Sequence, residues 1–189
     1  MTQNTKQLVL IALTALFPSI TQANALLLGV DFTSGGDTTA RFTDGTQQRA
    51  GDGAGFHIGY ELEVSEQHHF LVRATFGRTT DNPNLRDGFT KLEHTPYTLL
   101  VMKQMSNHQF GGGAAYHTNQ TWEFSGSGVG SDSINYENAL GLTVQYGWQF
   151  AHYGELGARY TNIEYDREDG GRGINASHIG VYINFKLPH

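Results

Sequence analysis

Phe56-His57-Ile58-Gly59-Tyr60-Glu61-Leu62-Glu63-Val64 alternates without a break. Phe56, Ile58, Tyr60, Leu62 and Val64 fall on one face of an extended strand, and His57, Gly59, Glu61 and Glu63 on the other. A helix would scatter the same apolar residues around its axis, so the period of two fixes this stretch as a strand with one apolar and one polar face. Leu140-Gly141-Leu142-Thr143-Val144-Gln145-Tyr146-Gly147-Trp148-Gln149-Phe150 repeats the pattern, and a third copy puts Phe70, Val72, Ala74 and Phe76 opposite His69, Arg73, Thr75 and Gly77.

Working outward from these, segments of the same kind are expected at 26–34, 54–64, 68–78, 91–104, 108–117, 138–150, 154–165 and 176–187. Most match the length of a tilted membrane strand, about 9 to 11 residues. Two are irregular. Pro96 interrupts the fourth, where a bulge or strand end is expected because proline has no donor for the ladder. In the seventh, Ile163 and Tyr165 fall out of step with Leu156, Ala158 and Tyr160, and a bulge near Asn162 would bring them back to the apolar face. The connections alternate between long (35–53, 79–90, 118–137, 166–175) and short (65–67, 105–107, 151–153).

The amino end carries Lys6, an apolar run from Leu8 to Phe17, and small residues at Ala23 and Ala25. The run is too short for a spanning helix, which needs about 20 residues, and the layout is that of a signal peptide. Cleavage after Ala25 fits best, with Ala23 the other option, giving a leader over 1–25 and one domain over 26–189. That domain has 11 Lys and Arg against 18 Asp and Glu, a net charge of −7. The acidic balance argues against nucleic acid, whose phosphates require clustered cations. There is no cysteine, so neither a disulfide nor a lipid-anchored amino terminus is available.

Alternation alone does not say which face is inside, because a soluble barrel also alternates. The glycines decide. Gly29, Gly59, Gly77, Gly111, Gly113, Gly141, Gly147, Gly157 and Gly180 all lie on the polar face. Strand-interior glycine is unfavourable on a solvent face but useful where large side chains must fit inside a narrow tube. The apolar face is therefore expected to meet lipid. Tyr146, Trp148, Phe150, Tyr153 and Phe185 would form an interfacial girdle at the end with the short turns.

The last segment, His178-Ile179-Gly180-Val181-Tyr182-Ile183-Asn184-Phe185, resembles the C-terminal signal of bacterial outer-membrane β-barrels, carried here by Gly180, Ile183 and Phe185. It departs from that family in the four residues that follow. With eight segments, short and long connections in alternation and a leader, the chain resembles the small OmpA/OmpX-like eight-stranded outer-membrane proteins of Gram-negative bacteria. Glu155-Leu156-Gly157-Ala158-Arg159-Tyr160, an Asp/Gly-rich loop and the terminal strand also look like the end of YfaZ-type barrels. The resemblance implies an all-β, eight-stranded antiparallel up-and-down transmembrane β-barrel with external long loops. Its implied partners are outer-membrane lipid, lipopolysaccharide and the barrel-assembly machinery, with no cofactor.

If the polar face is the lumen, Asp31, His57, Glu61, His69, Arg73, Gln145, Glu155 and Arg159 form a polar network inside it. Buried charges must be paired, and face parity sets Glu61 opposite Arg73 or one register step away, and Arg159 opposite Gln145 near Glu155. Eight strands leave no room for an open pore. Function then belongs to the external loops, where Trp122, Phe124 and Tyr136 are the expected contact residues. The competing reading is an enzyme acting on lipid A or phospholipid, with His117, Ser177, His178 and Glu164 at similar height. The His-x-Ser arrangement of lipid A deacylases is absent from the mature chain, and Ser106 and His108 lie in reverse order at the opposite end. Asp37, Asp44, Asp52, Asp166, Glu168 and Asp169 lack any calcium-loop spacing, and His68-His69 alternate faces, so no metal site is expected. Gly51-Asp52-Gly53-Ala54-Gly55 lacks the Lys-Ser/Thr of a phosphate loop.

Overall fold

The computed structural model describes residues 24–41, 45–81, 88–126, 130–151 and 153–188. Residues 1–23, all but the last two of the expected leader over 1–25, and Asp44 lie outside the described residues. Eight strands build the barrel: β1 (Asn24–Gly35), β2 (Gly53–Ser65), β3 (Phe70–Asp81), β4 (Gly88–Met105), β5 (His108–Gly126), β6 (Ala139–Ala151), β7 (Gly154–Asn162) and β8 (His178–Pro188). Each is antiparallel to its chain neighbours, and β1 pairs with both β2 and β8, which closes the sheet. Closure leaves the barrel wall with no open edge.

Alternation is realised as expected from the glycines. Leu140, Leu142, Val144, Tyr146, Trp148 and Phe150 point outward and are exposed, as are Phe56 and Ile58 on β2 and Ile179, Val181, Ile183 and Phe185 on β8. Leu140 is 72% exposed, a value that suits hydrocarbon and not water. Two aromatic rows border this band. One contains Trp148, Phe150, Tyr153 and Phe185 beside the short turns, and Phe32, Phe56, Phe76, Tyr97, Tyr116 and Tyr160 form the other.

Leu99-Leu100-Val101-Met102 also alternates: Leu99 and Val101 face out, while Leu100 and Met102 are fully buried with Leu71 in the lumen. Pro96 lies within a continuous β4 opposite His117, and the bulge falls on the partner strand. Glu93 pairs with Thr121 but Thr95 with Thr118, so β5 carries an extra residue there, and Asn119 takes a left-handed conformation at φ 55°. The extra residue turns the β5 alternation over. Below it His117 points inward; above it Gln120 and Trp122 do.

β4 and β5 are longer than the sequence suggests, and Gly130–Tyr136 adds a third strand to their projecting end. In the seventh segment no bulge returns Ile163 and Tyr165 to the lipid face. The ladder stops at Asn162, and both residues keep the inward parity and are buried. They belong to a cap above the barrel.

Candidate functional site

The interior is filled in two storeys. At the end with the short turns, Arg73 is completely buried and surrounded by acceptors. Its Nε donates to Glu61 Oε2 at 2.9 Å, Nη1 to Glu155 Oε1 at 2.8 Å, and Nη2 to Glu155 Oε2 at 2.8 Å, to Gln109 Oε1 at 2.7 Å and to Glu61. Lys186 Nζ reaches Glu61 Oε1 at 2.7 Å and Glu155 Oε2 at 3.1 Å. Two cations and two anions make this knot neutral, and each charge has more than one partner. Both conditions are needed to offset the desolvation of buried ions.

Four β-strands supply the knot, because inward parity at Glu61, Arg73, Glu155 and Lys186 aims all four side chains at the axis. Tyr182 OH donates to Glu155 Oε1 at 2.8 Å and accepts from Gln145 Nε2 at 2.9 Å. Its ring has space because Gly147 and Gly157 stand beside it, where an added Cβ would collide with Tyr182. Gly29 does the same for the His57 Nε2–Asn184 Oδ1 hydrogen bond of 2.7 Å.

Above the knot, Arg159 donates from Nε to Gln145 Oε1 at 2.8 Å, and its Nη1 lies 4.0 Å from Asp31. Asp31 is 3.6 Å from His57 Nδ1. Higher still, His94 and His117 stack with ring centroids 4.6 Å apart and 11° between planes, and His178 follows at 6.1 Å from His117. Asp31, Arg159 and the three imidazoles line an enclosed space of about 20 Å³, measured to the centre of a water-sized sphere. That holds a water or two. It is not a channel.

An apolar cap closes this end. Ala50, Tyr136, Ala139, Ile163, Tyr165 and Ala176 are buried together, with Trp122, Ile134 and Ile174 packed against them. Tyr165 also reaches down to His117 Nδ1, 2.7 Å from its hydroxyl. Three connections are tied into the cap by backbone bonds, among them Asp37 N to Asn175 O at 2.7 Å and Glu137 N to Asp166 O at 2.8 Å. Trp122 Nε1 donates to Thr90 Oγ1 at 2.8 Å and to Gln48 Oε1 at 3.2 Å. Burial pushes the Tyr136 hydroxyl above its ordinary pKa, whereas the Arg167 side chain, hydrogen-bonded to Asp169, holds that exposed carboxyl below its own.

The structure brings together seven of the eight residues expected in the lumen. His69 is the exception: it occupies the turn between β2 and β3 with φ 53° and is exposed, because β3 begins one residue later, at Phe70. Lys186 was not among the residues expected in the lumen, although it falls in the expected segment 176–187. β8 runs on to Pro188, and period two alone gives Lys186 the parity of Tyr182 and Asn184.

Tyr136 is not displayed on a loop. It is only 4% exposed because the β5 bulge folds that face onto the cap. Trp122 is half-buried, and Phe124 lies tilted against it, ring centroids 5.0 Å apart. Ser177 Oγ is engaged by Asn162 Oδ1 at 2.9 Å and the Ile163 N–H at 3.1 Å, and His178 Nδ1 by the Ala176 carbonyl at 2.9 Å. Among the described residues Ser177 thus bonds Asn162, Ile163 and Asn175, not His117 or His178, and Glu164 points outward. Gly180 packs on Thr33, while Ile183 and Phe185 face lipid.

No family model and no curated protein sequence matches the chain. Solved structures do. Ail, the attachment invasion locus protein of Yersinia pestis, solved with the heparin analogue sucrose octasulfate, is similar at a TM-score of 0.58 and 11% identity, over 87% of this chain and 98% of that one. Neisserial surface protein A is similar at 0.50 and 10% identity, over 87% and 97%. Inside-out polarity, antiparallel closure and this likeness agree: the chain has the fold of the small eight-stranded outer-membrane β-barrels.

Proposed function

We propose that this protein is a non-enzymatic integral barrel of the bacterial outer membrane, closed to solutes, whose working surface is its external cap. The outward apolar band between two aromatic rows carries this reading, since such a surface is stable only in hydrocarbon. The packed cap supports a surface-interaction or envelope-integrity role, because it ties three of the connections into one packed shape. Lipopolysaccharide would surround that cap, and the barrel-assembly machinery would insert the chain.

The polyanion bound to Ail is not carried over. Residues 35–53, 78–96, 117–139 and 162–177 together hold 13 Asp and Glu against 7 Lys and Arg, a field that repels sulfated glycans. A polar or cationic partner suits it better. Leader removal is proposed to follow Ala23, because Asn24 and Ala25 already belong to β1, paired with Leu62 and Pro188.

Gel mobility with and without boiling, on protein from fractionated cells, tests the reading. A heat-dependent shift in the outer-membrane fraction, with a mature chain starting at Asn24, is the expected result. Soluble periplasmic protein without a shift would overturn it. Lipid A from cells with and without the protein should show the same acylation by mass spectrometry.

A further inference from the structure

Across the outer face, the ladder aligns Phe70, Lys103, Phe110, Tyr146 and Ala158 in one row. Lys103 lies two residues before the β4–β5 turn and points outward, its Nζ 5.3 Å from the Phe70 ring centroid. Among the described residues no carboxylate stands within 4 Å of it, in contrast to Arg78 and Lys91, which share Glu93 at the external end.

Two surface grooves meet beside this lysine. One runs between the turns at the base of the barrel and is lined by His68, Lys103, Met105, His108 and Phe110. The other climbs the lipid face from Phe110 over Gly112 and Ala158 towards Tyr160 and Ile179. Phe110 belongs to both, and the 2.7 Å contact between His108 Nδ1 and Tyr146 OH joins their walls.

We propose that this continuous groove seats one anionic phospholipid of the periplasmic leaflet. Its phosphate meets Lys103 at the rim, with the His68 and His108 imidazoles alongside, and an acyl chain lies along Gly112 and Ala158. The occupant follows from position and charge. A depression in the hydrocarbon zone is filled by an acyl chain because water is excluded there, and the unpaired ammonium at its lower end favours an anion over a zwitterion. The proposal rests on the membrane reading above.

Trp148, outward and paired with His108, reports on this face, and Trp122 is the one other tryptophan. The test is quenching of Trp148 in Trp122→Phe protein, reconstituted in vesicles where brominated phosphatidylglycerol competes with unbrominated phosphatidylethanolamine, and in the converse mixture. Phosphatidylglycerol should be preferred by about fivefold, the effect of one lysine at an anionic surface. Lys103→Gln should bring the ratio to about one, and Gly112→Leu should lower quenching by either lipid as the groove fills.

Equal quenching in the parent, or an unchanged preference in Lys103→Gln, would overturn the proposal. Loss of preference on adding inorganic phosphate would also overturn it, in favour of a soluble anion. The heat-dependent gel shift is read on every sample, so failure of the membrane reading shows separately as protein that never inserts.

Discussion

The two storeys of the interior solve the same problem with opposite chemistry. At the base, Glu61, Arg73, Glu155 and Lys186 are full charges on regular strands, each held by partners across the barrel. At the external end, three imidazoles, two of them stacked, lie under an apolar cap built from segments that are mostly not barrel strands. The lower storey is rigid because breaking any one pair leaves a buried charge. The upper storey depends on cap side chains that could be loosened without touching the wall. The difference teaches that closure of this barrel is two separable events.

The strongest way to break the comparison is Arg73→Met, which leaves Glu61 and Glu155 sharing Lys186. A loss of about 3–5 kcal/mol is expected from uncompensated buried charge, read as a lower denaturant midpoint for the heat-modifiable form. Replacing Glu155 by Gln in the same chain, which leaves Glu61 paired with Lys186, should recover much of that loss, which a packing explanation would not predict.

Tyr165→Ala attacks the other storey. It should cost about 3 kcal/mol of cap stability by leaving a void under Ile163 and Tyr136. The sign that the storeys are separable is selective proteolysis of the external segments while the boiled and unboiled bands still differ. If the whole barrel unfolds together instead, the two regions are one cooperative unit. Tyr165→Phe keeps the ring and removes only the contact with His117, so a change of about 1 kcal/mol sharpens the division between apolar packing and the histidine stack. His69→Asn, in the exposed turn, should stay within about 0.5 kcal/mol, marking that residue as outside the lower network.

The barrel was legible because period two is a strong signal wherever one face meets lipid: β2, β3 and β6 read correctly almost residue by residue. The Glu61–Arg73 pair followed from parity across a short turn, and the register does set them opposite each other. The cap was not legible. Its parity depends on one extra residue at Asn119; asparagine is depleted in strands and tolerates positive φ, but a single one does not say that β5 continues and turns over there. Lys186 was missed although it falls inside the expected segment 176–187, because the resemblance of the terminal segment ends at the aromatic Phe185, and His69 was missed by a strand start misplaced near a turn.

The bare patches of wall at Gly29, Gly147 and Gly157 have an engineering consequence. The tube itself is not solid. What blocks it is a handful of long side chains, chiefly Arg73, Tyr182, His57 and Arg159, of which Tyr182 and His57 lie against glycine backbone. Within the narrow bore that eight strands allow, trimming those to glycine or alanine would expose a hydrogen-bonding wall already free of side chains, so electrical conductance in a planar bilayer would be governed by these few side chains.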